Sequence, residues 1–217
     1  ISLGLVGSEM CIRDRYKRVV GGFYYSTNIT GTTNPRAEIY FSSDPGLEDG
    51  KTVRVSGVHK ILNSSNVAVD LDVSGDFKIV AVDSPPWENR VSYGGNRQTP
   101  GENVDSTVLF NPEVVRGFGA ARELIVRSRI STVEATTTTA KIVFTSDNHF
   151  KVNDVVFVDL PTDTPFFGLD GLYRVKTAGS NFIEFDFSSA LDEPIDSASV
   201  TEERYVHATA QLSLIHI

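Results

Sequence analysis

Apolar and polar residues alternate one by one through much of this chain. Phe77-Lys78-Ile79-Val80-Ala81-Val82, Lys141-Ile142-Val143-Phe144, Tyr173-Arg174-Val175-Lys176 and Phe182-Ile183-Glu184-Phe185-Asp186-Phe187 follow this pattern, as does the shorter Val53-Arg54-Val55. A period of two sends successive side chains to opposite faces of a sheet, one face toward a core and the other toward water. β-Branched and aromatic residues fill these runs, which suits a pleated, half-buried surface. Turn formers separate them: Asn34-Pro35, Asp44-Pro45-Gly46, Asp49-Gly50, Ser74-Gly75, Asp170-Gly171 and Gly179-Ser180-Asn181. The expected fold is all-β, built as two tandem small β-sandwich or β-barrel modules. At most one short helix is expected, near 112–124, where Asn111 would cap and Pro112 would sit in the first turn. Gly117 and Gly119 weaken it. The segment from Pro85 to Gly101 reads as a long loop.

The pattern is written twice. Ala37-Glu38-Ile39-Tyr40-Phe41-Ser42-Ser43-Asp44 aligns with Ala140-Lys141-Ile142-Val143-Phe144-Thr145-Ser146-Asp147. The same offset of 103 places Leu47, Val53 and Val55 opposite Phe150, Val156 and Val158. Gly75-Asp76-Phe77-Lys78-Ile79 then meets Gly171-Leu172-Tyr173-Arg174-Val175 at an offset of 96, and Asn89–Tyr93 meets Asn181–Phe185 at 92. A shrinking offset means shorter loops in the second copy, which is where two copies of one fold diverge. Module 1 is expected over 16–120 and module 2 over 121–202. Glu203-Arg204-Tyr205-Val206 resembles the lead-in from Glu123, so 203–211 is read as the start of a third module.

The two ends read as non-native. Glu9–Arg15 and Leu212–Ile217 are encodable by nucleotide strings that are reverse complements of one another, matching the mosaic end of a transposase-type sequencing adapter. Residues 1–15 and 212–217 are therefore expected to be translated adapter. They contain the only Met and the only Cys, leaving 16–211 as an internal piece of a longer protein with no thiol chemistry.

The second copy also carries recognisable text. Asn148-His149-Phe150-Lys151-Val152-Asn153-Asp154-Val155-Val156-Phe157-Val158 is followed by Gly168-Leu169-Asp170-Gly171-Leu172-Tyr173-Arg174-Val175 and by Asn181-Phe182-Ile183-Glu184-Phe185. This resembles small β modules of tail and tail-fibre proteins of tailed bacteriophages. Those read His-Gly, a hydrophobe, Gly-Asp, a valine-rich strand, Asn-Gly-x-Tyr-x-Val and a final aromatic strand. Similar text recurs in a small β-barrel domain of ubiquitin-activating enzymes. Phe150, Asn153 and Asp170 depart from the pattern, and the first copy lacks the His. The resemblance implies a non-enzymatic structural role in a virion tail. It also implies other tail proteins or further modules as partners, homo-oligomers, and no catalytic residues to carry over. Two rival readings are a repeat of a bacterial surface adhesin or carbohydrate-binding protein, and an accessory domain of a polysaccharide-degrading enzyme.

Composition narrows the partners. Lys and Arg total 20 against 28 Asp and Glu, a formal charge of −8, so no nucleic-acid backbone is expected as partner. No apolar run is long enough for a membrane-spanning helix. Asp70, Asp72, Ser74 and Asp76, with Gly75, match the first half of a calcium loop, although Ala81 stands where such a loop needs a bidentate Glu. Calcium is the only cofactor this text suggests. Trp87 and Tyr93 lie close together and offer an aromatic platform for a sugar or a partner. His59, His149 and His207 are far apart in sequence and at no metal-ligand spacing. Asn153-Asp154 and Asp170-Gly171 are read as turns. Phe150, Val156, Val158, Tyr173, Val175 and Phe185 are read as one buried face.

Overall fold

Every regular element among the described residues is a strand. The structure, a computed structural model, describes residues 16–25, 36–41, 51–81, 92–93, 96–97, 107–110, 121–163, 165–188, 191 and 193–212. In chain order the strands are β1 (Tyr16–Tyr25), β2 (Arg36–Phe41), β3 (Thr52–Ser56), β4 (Lys60–Leu62), β5 (Ala68–Asp70), β6 (Gly75–Ala81), β7 (Ser92–Tyr93), β8 (Asn96–Arg97) and β9 (Thr107–Phe110). They continue with β10 (Ala121–Ile125), β11 (Arg127–Ala135), β12 (Thr139–Phe144), β13 (Val155–Val158), β14 (Gly171–Arg174), β15 (Thr177–Ala178), β16 (Phe182–Asp186), β17 (Ile195–Ser199) and β18 (Tyr205–Leu212). The fold is all-β and antiparallel, with one sheet of 16 strands and the β7–β8 pair apart from it. No helix among the described residues is long and apolar enough to cross a membrane.

The helix expected near 112–124 is not formed at its C-terminal end. Residues 121–124 belong to β10, which is paired to β1 on one edge and to β4 on the other. Two ladders and a buried Leu124 outweigh a local helical preference that Gly117 and Gly119 already weaken. Residues 112–120 lie outside the described residues.

The large sheet closes on itself twice. One circuit runs β1–β2–β9–β6–β3–β18 and back to β1. The other runs β11–β12–β16–β15, passes along the same stretch of chain to β14, then β13 and β18, and returns to β11. Each circuit encloses its own hydrophobic core. The first contains Val19, Ile39, Phe41, Val53, Val55 and Leu124; the second contains Ile130, Ile142, Val156, Val158, Ile183 and Phe185. The alternation read from sequence supplies both, because every second side chain of these strands points inward.

β18 belongs to both barrels. His207 lies between Arg127 of β11 and Phe157 of β13, whereas Thr209 lies between Arg18 of β1 and Ser56 of β3. The Val155 amide donates to Ser56 Oγ at 2.7 Å, so β13 continues the line of β3. The two barrels therefore follow one another along β18 in the same direction. Val206 points into the second core, Ala208 and Ala210 into the first.

This arrangement bears on where the expected units begin and end. Leu124 and Val126 pack in the first core, so the first unit extends past 120 to about the start of β11. Residues 205–212, overlapping the stretch expected to lead into a third unit, pair with strands of both circuits. The pairing of β18 also includes Leu212, opposite Val53, one residue inside the segment read as adapter. Backbone pairing places no demand on where that side chain came from.

The pairing registers fix which residues correspond. Val19 opposite Phe41 and Ile130 opposite Phe144 each precede the same irregularity in their ladders. Val53 opposite Phe77 and Val55 opposite Gly75 match Val156 opposite Tyr173 and Val158 opposite Gly171. The offsets of 103 and 96 are reproduced, and both glycines have positive φ, 136° and 149°. The last match is different. Ile39 faces Val108 and Ala37 faces Phe110, just as Ile142 faces Ile183 and Ala140 faces Phe185. β9, not Asn89–Tyr93, is thus the counterpart of β16. A short strand after a long connection is hard to register by eye, and Arg90-Val91-Ser92-Tyr93 mimics its alternation. The residues expected as a buried face are indeed so placed, with Tyr173 packed at the margin of the second core.

Candidate functional site

The four oxygen ligands of the expected calcium loop do not converge. Asp70 is exposed on β5, with Lys60 Nζ 3.9 Å away. Ser74 Oγ accepts the Val58 amide and donates to the Val58 carbonyl. Asp76 forms a two-point ion pair with Arg54, at 2.8 and 2.7 Å, across β3 and β6. That pairing holds the Asp76 carboxyl below the ordinary range. Asp72 faces a different way, toward the second barrel. Among the described residues no group of three or more His, Cys, Asp or Glu is placed to hold a metal. Trp87 lies outside the described residues. Tyr93 is in β7, opposite Asn96 of β8.

The densest polar cluster lies where the barrels meet. His59 follows β3, in a stretch held by the bonds of Val58 to Ser74 and of Leu71 to the His59 carbonyl. Its ring is 6% exposed. Nδ1 is 2.9 Å from Asp72 Oδ1 of the same barrel, and Nε2 is 2.9 Å from Asp154 Oδ2 of the other. Carboxylates accept only, so both contacts are hydrogen bonds when both ring nitrogens carry protons. Asp154 is itself 7% exposed, and its Oδ2 also accepts the Lys151 amide at 2.7 Å. Its Oδ1 accepts the Ser56 hydroxyl at 3.3 Å. The left-handed turn at Asn153, φ 76°, aims Asp154 at this point, a backbone that Asn and Gly tolerate.

Asp72 is tied from several sides. Burial alone would raise its pKa, but the Ser74 amide, the His59 ring and the Lys151 ammonium at 3.3 Å outweigh that and hold it below the ordinary carboxylate range. Lys151 belongs to the second barrel, so Lys151–Asp72 and His59–Asp154 cross the junction in opposite charge senses.

Two further histidines are buried and uncharged. His149 packs on Phe150 with ring centroids 4.3 Å apart, and its Nδ1 lies 3.4 Å from Ser128 Oγ. Burial, aided by the charge on His59, pushes its pKa down to about 3. His207 is pushed to about 3 by burial and then by Arg18, while its Nδ1–H donates to the Val19 carbonyl at 3.3 Å. His149 is thus not a ligand of anything described; it belongs to the wall between the cores.

Sequence reasoning missed this junction. His59 and Asp154 stand 95 residues apart and share no motif. Their only local sign was the Asn153-Asp154 turn, which announces a bend but not what the carboxylate meets. Comparison with protein-family models, curated proteins and solved structures finds no match for this chain.

Proposed function

We propose that this chain is a non-enzymatic structural module of a bacteriophage tail, tail-fibre or baseplate protein. In this reading it resides in the virion and contributes β domains to tail assembly or host contact. Its partners are other tail proteins or further modules of the same kind. One observation carries the reading: a closed circuit of paired strands with matching registers occurs twice, in the same direction, on one closing strand. What repeats is the scaffold. The paired registers, the ladder irregularity and the positive-φ glycines recur, whereas the polar junction does not; Lys51 stands in the first copy where the second has Asp154. A repeated frame with unrepeated polar groups suits a building element better than a duplicated binding or catalytic site.

The test is the complete gene with its neighbours. Capsid, portal or baseplate genes alongside are the expected result. A signal peptide with a cell-wall anchor would move the chain to a surface adhesin. A catalytic module in the same reading frame would make it an accessory domain of a polysaccharide-degrading enzyme.

A further inference from the structure

The junction contains one feature that a purely structural wall does not need. An imidazole buried to 6% exposure has a carboxylate on each nitrogen, and the second of these, Asp154, is as buried as the ring. Apolar contact alone seats a wall of this kind: Gly57, at φ 83°, lies so close to Phe150 that an added β-carbon would come within 3.1 Å of its ring. A buried carboxylate is tolerated when a cation and hydrogen bonds compensate it, and is costly once the cation is lost.

We infer that His59 is a proton-dependent latch between the barrels: doubly protonated, it ties Asp72 of the first to Asp154 of the second, and losing one proton leaves Asp154 buried without its cation. The groups facing it come from every side of the junction. Asp72 arrives from the segment between β5 and β6, carrying the Ser74 amide and Lys151 Nζ. Asp154 arrives from the turn before β13, with the Lys151 amide and Ser56 hydroxyl on it. His149 lies on the segment after β12, and Lys60 follows directly on β4 with Asp70 as its partner. Lys151 compensates Asp72 in either state, whereas no other cation contacts Asp154 among the described residues. Only the doubly protonated ring can donate to both carboxylates at once, so the intact junction requires a proton on each ring nitrogen. Release is local, because β18 stays paired with both barrels.

Hydrogen exchange and histidine-ring NMR on the full chain test this together. The reporters are the Lys151 amide, bound to Asp154, and the Val155 amide, bound to Ser56. The Ala208 amide, bound to the Val126 carbonyl within the shared strand, is the control. After correction for intrinsic exchange, Lys151 and Val155 are expected to lose protection in step with the His59 ring, while Ala208 keeps its own. His59→Gln, which cannot take up a second proton, is expected to show no such step. The inference fails if both amides keep their protection while the ring titrates. It also fails if the ring is singly protonated wherever the protein is folded, which the wild-type spectra alone decide, or if His59→Gln shows the same step.

Discussion

Gly22 lies against Leu124, so close that a β-carbon at Gly22 would come within 2.8 Å of Leu124 Cδ1 and 2.5 Å of the Glu38 carbonyl oxygen. The corresponding pair in the second barrel is Val133 and Ala198, which face each other across β11 and β17. The large and small residues have changed places between the copies. Space at this position is conserved as a sum, although neither residue is.

Gly22→Ala is therefore expected to destabilise the protein by about 1–3 kcal/mol, the usual cost of forcing atoms into a filled site. Denaturant unfolding measures it. Adding Leu124→Ala should recover little, because the nearer obstacle is backbone, and backbone cannot be trimmed.

Phe41 and Phe185 are fully buried, one in each core. Changing either to Ala should cost about 3–5 kcal/mol. Because β18 walls both cores, both variants are expected to unfold in a single transition, coincident by circular dichroism and by intrinsic fluorescence. Two separated transitions in either variant would mean that the barrels fold independently.

Asn153→Gly should leave stability nearly unchanged, and Asn153→Val should cost roughly 1–2 kcal/mol, since a β-branched residue is penalised in the left-handed region. Thermal melts of the two variants side by side settle the point.

His149 and His207 govern the acid side. Both are pushed to about 3 in the folded chain, whereas an unfolded histidine titrates near ~6.5. Between these values the unfolded state binds more protons, so their contribution is complete above ~6.5 and is lost as pH falls toward 3. Stability should decline through this window before the carboxylates are reached. His149→Phe should flatten part of that decline if it preserves the fold. Asp72 and Asp76, held low by their partners, contribute above the ordinary carboxylate range and lose it at still lower pH.

Calcium should not stabilise the chain. Ser74, Asp72 and Asp76 already serve bonds of their own, and Asp70 is exposed beside Lys60. Melting temperatures with chelator and with excess calcium are expected to coincide, and a rise with calcium would restore the loop reading.

What was legible in the sequence was whatever a period of two encodes. Val53, Val55, Val156 and Val158 announced their strands, and their pairing partners Gly75 and Gly171 announced the duplication. β9 was not legible, because Thr107–Phe110 is short and follows a long connection, while Arg90–Tyr93 offered a false match. The junction was not legible either. His59, Asp72 and Asp154 meet only because β3 and β13 abut along β18, and no local pattern encodes an abutment between distant strands. The same holds for β18 itself, whose Val206, Ala208 and Ala210 look like one half-buried strand and prove to line two interiors.

Tyr16 at the start of β1 faces Gln211 near the end of β18. Force that separates these two residues acts across one end of the described ladder, so its bonds break in succession rather than together. Lys17 and Arg18 would part from Ala210 and Thr209 next, and the barrel containing Phe41 would come apart before the one containing Phe185. Under tension this molecule is a zip with a defined order of failure, and optical tweezers attached at these positions would read that order directly.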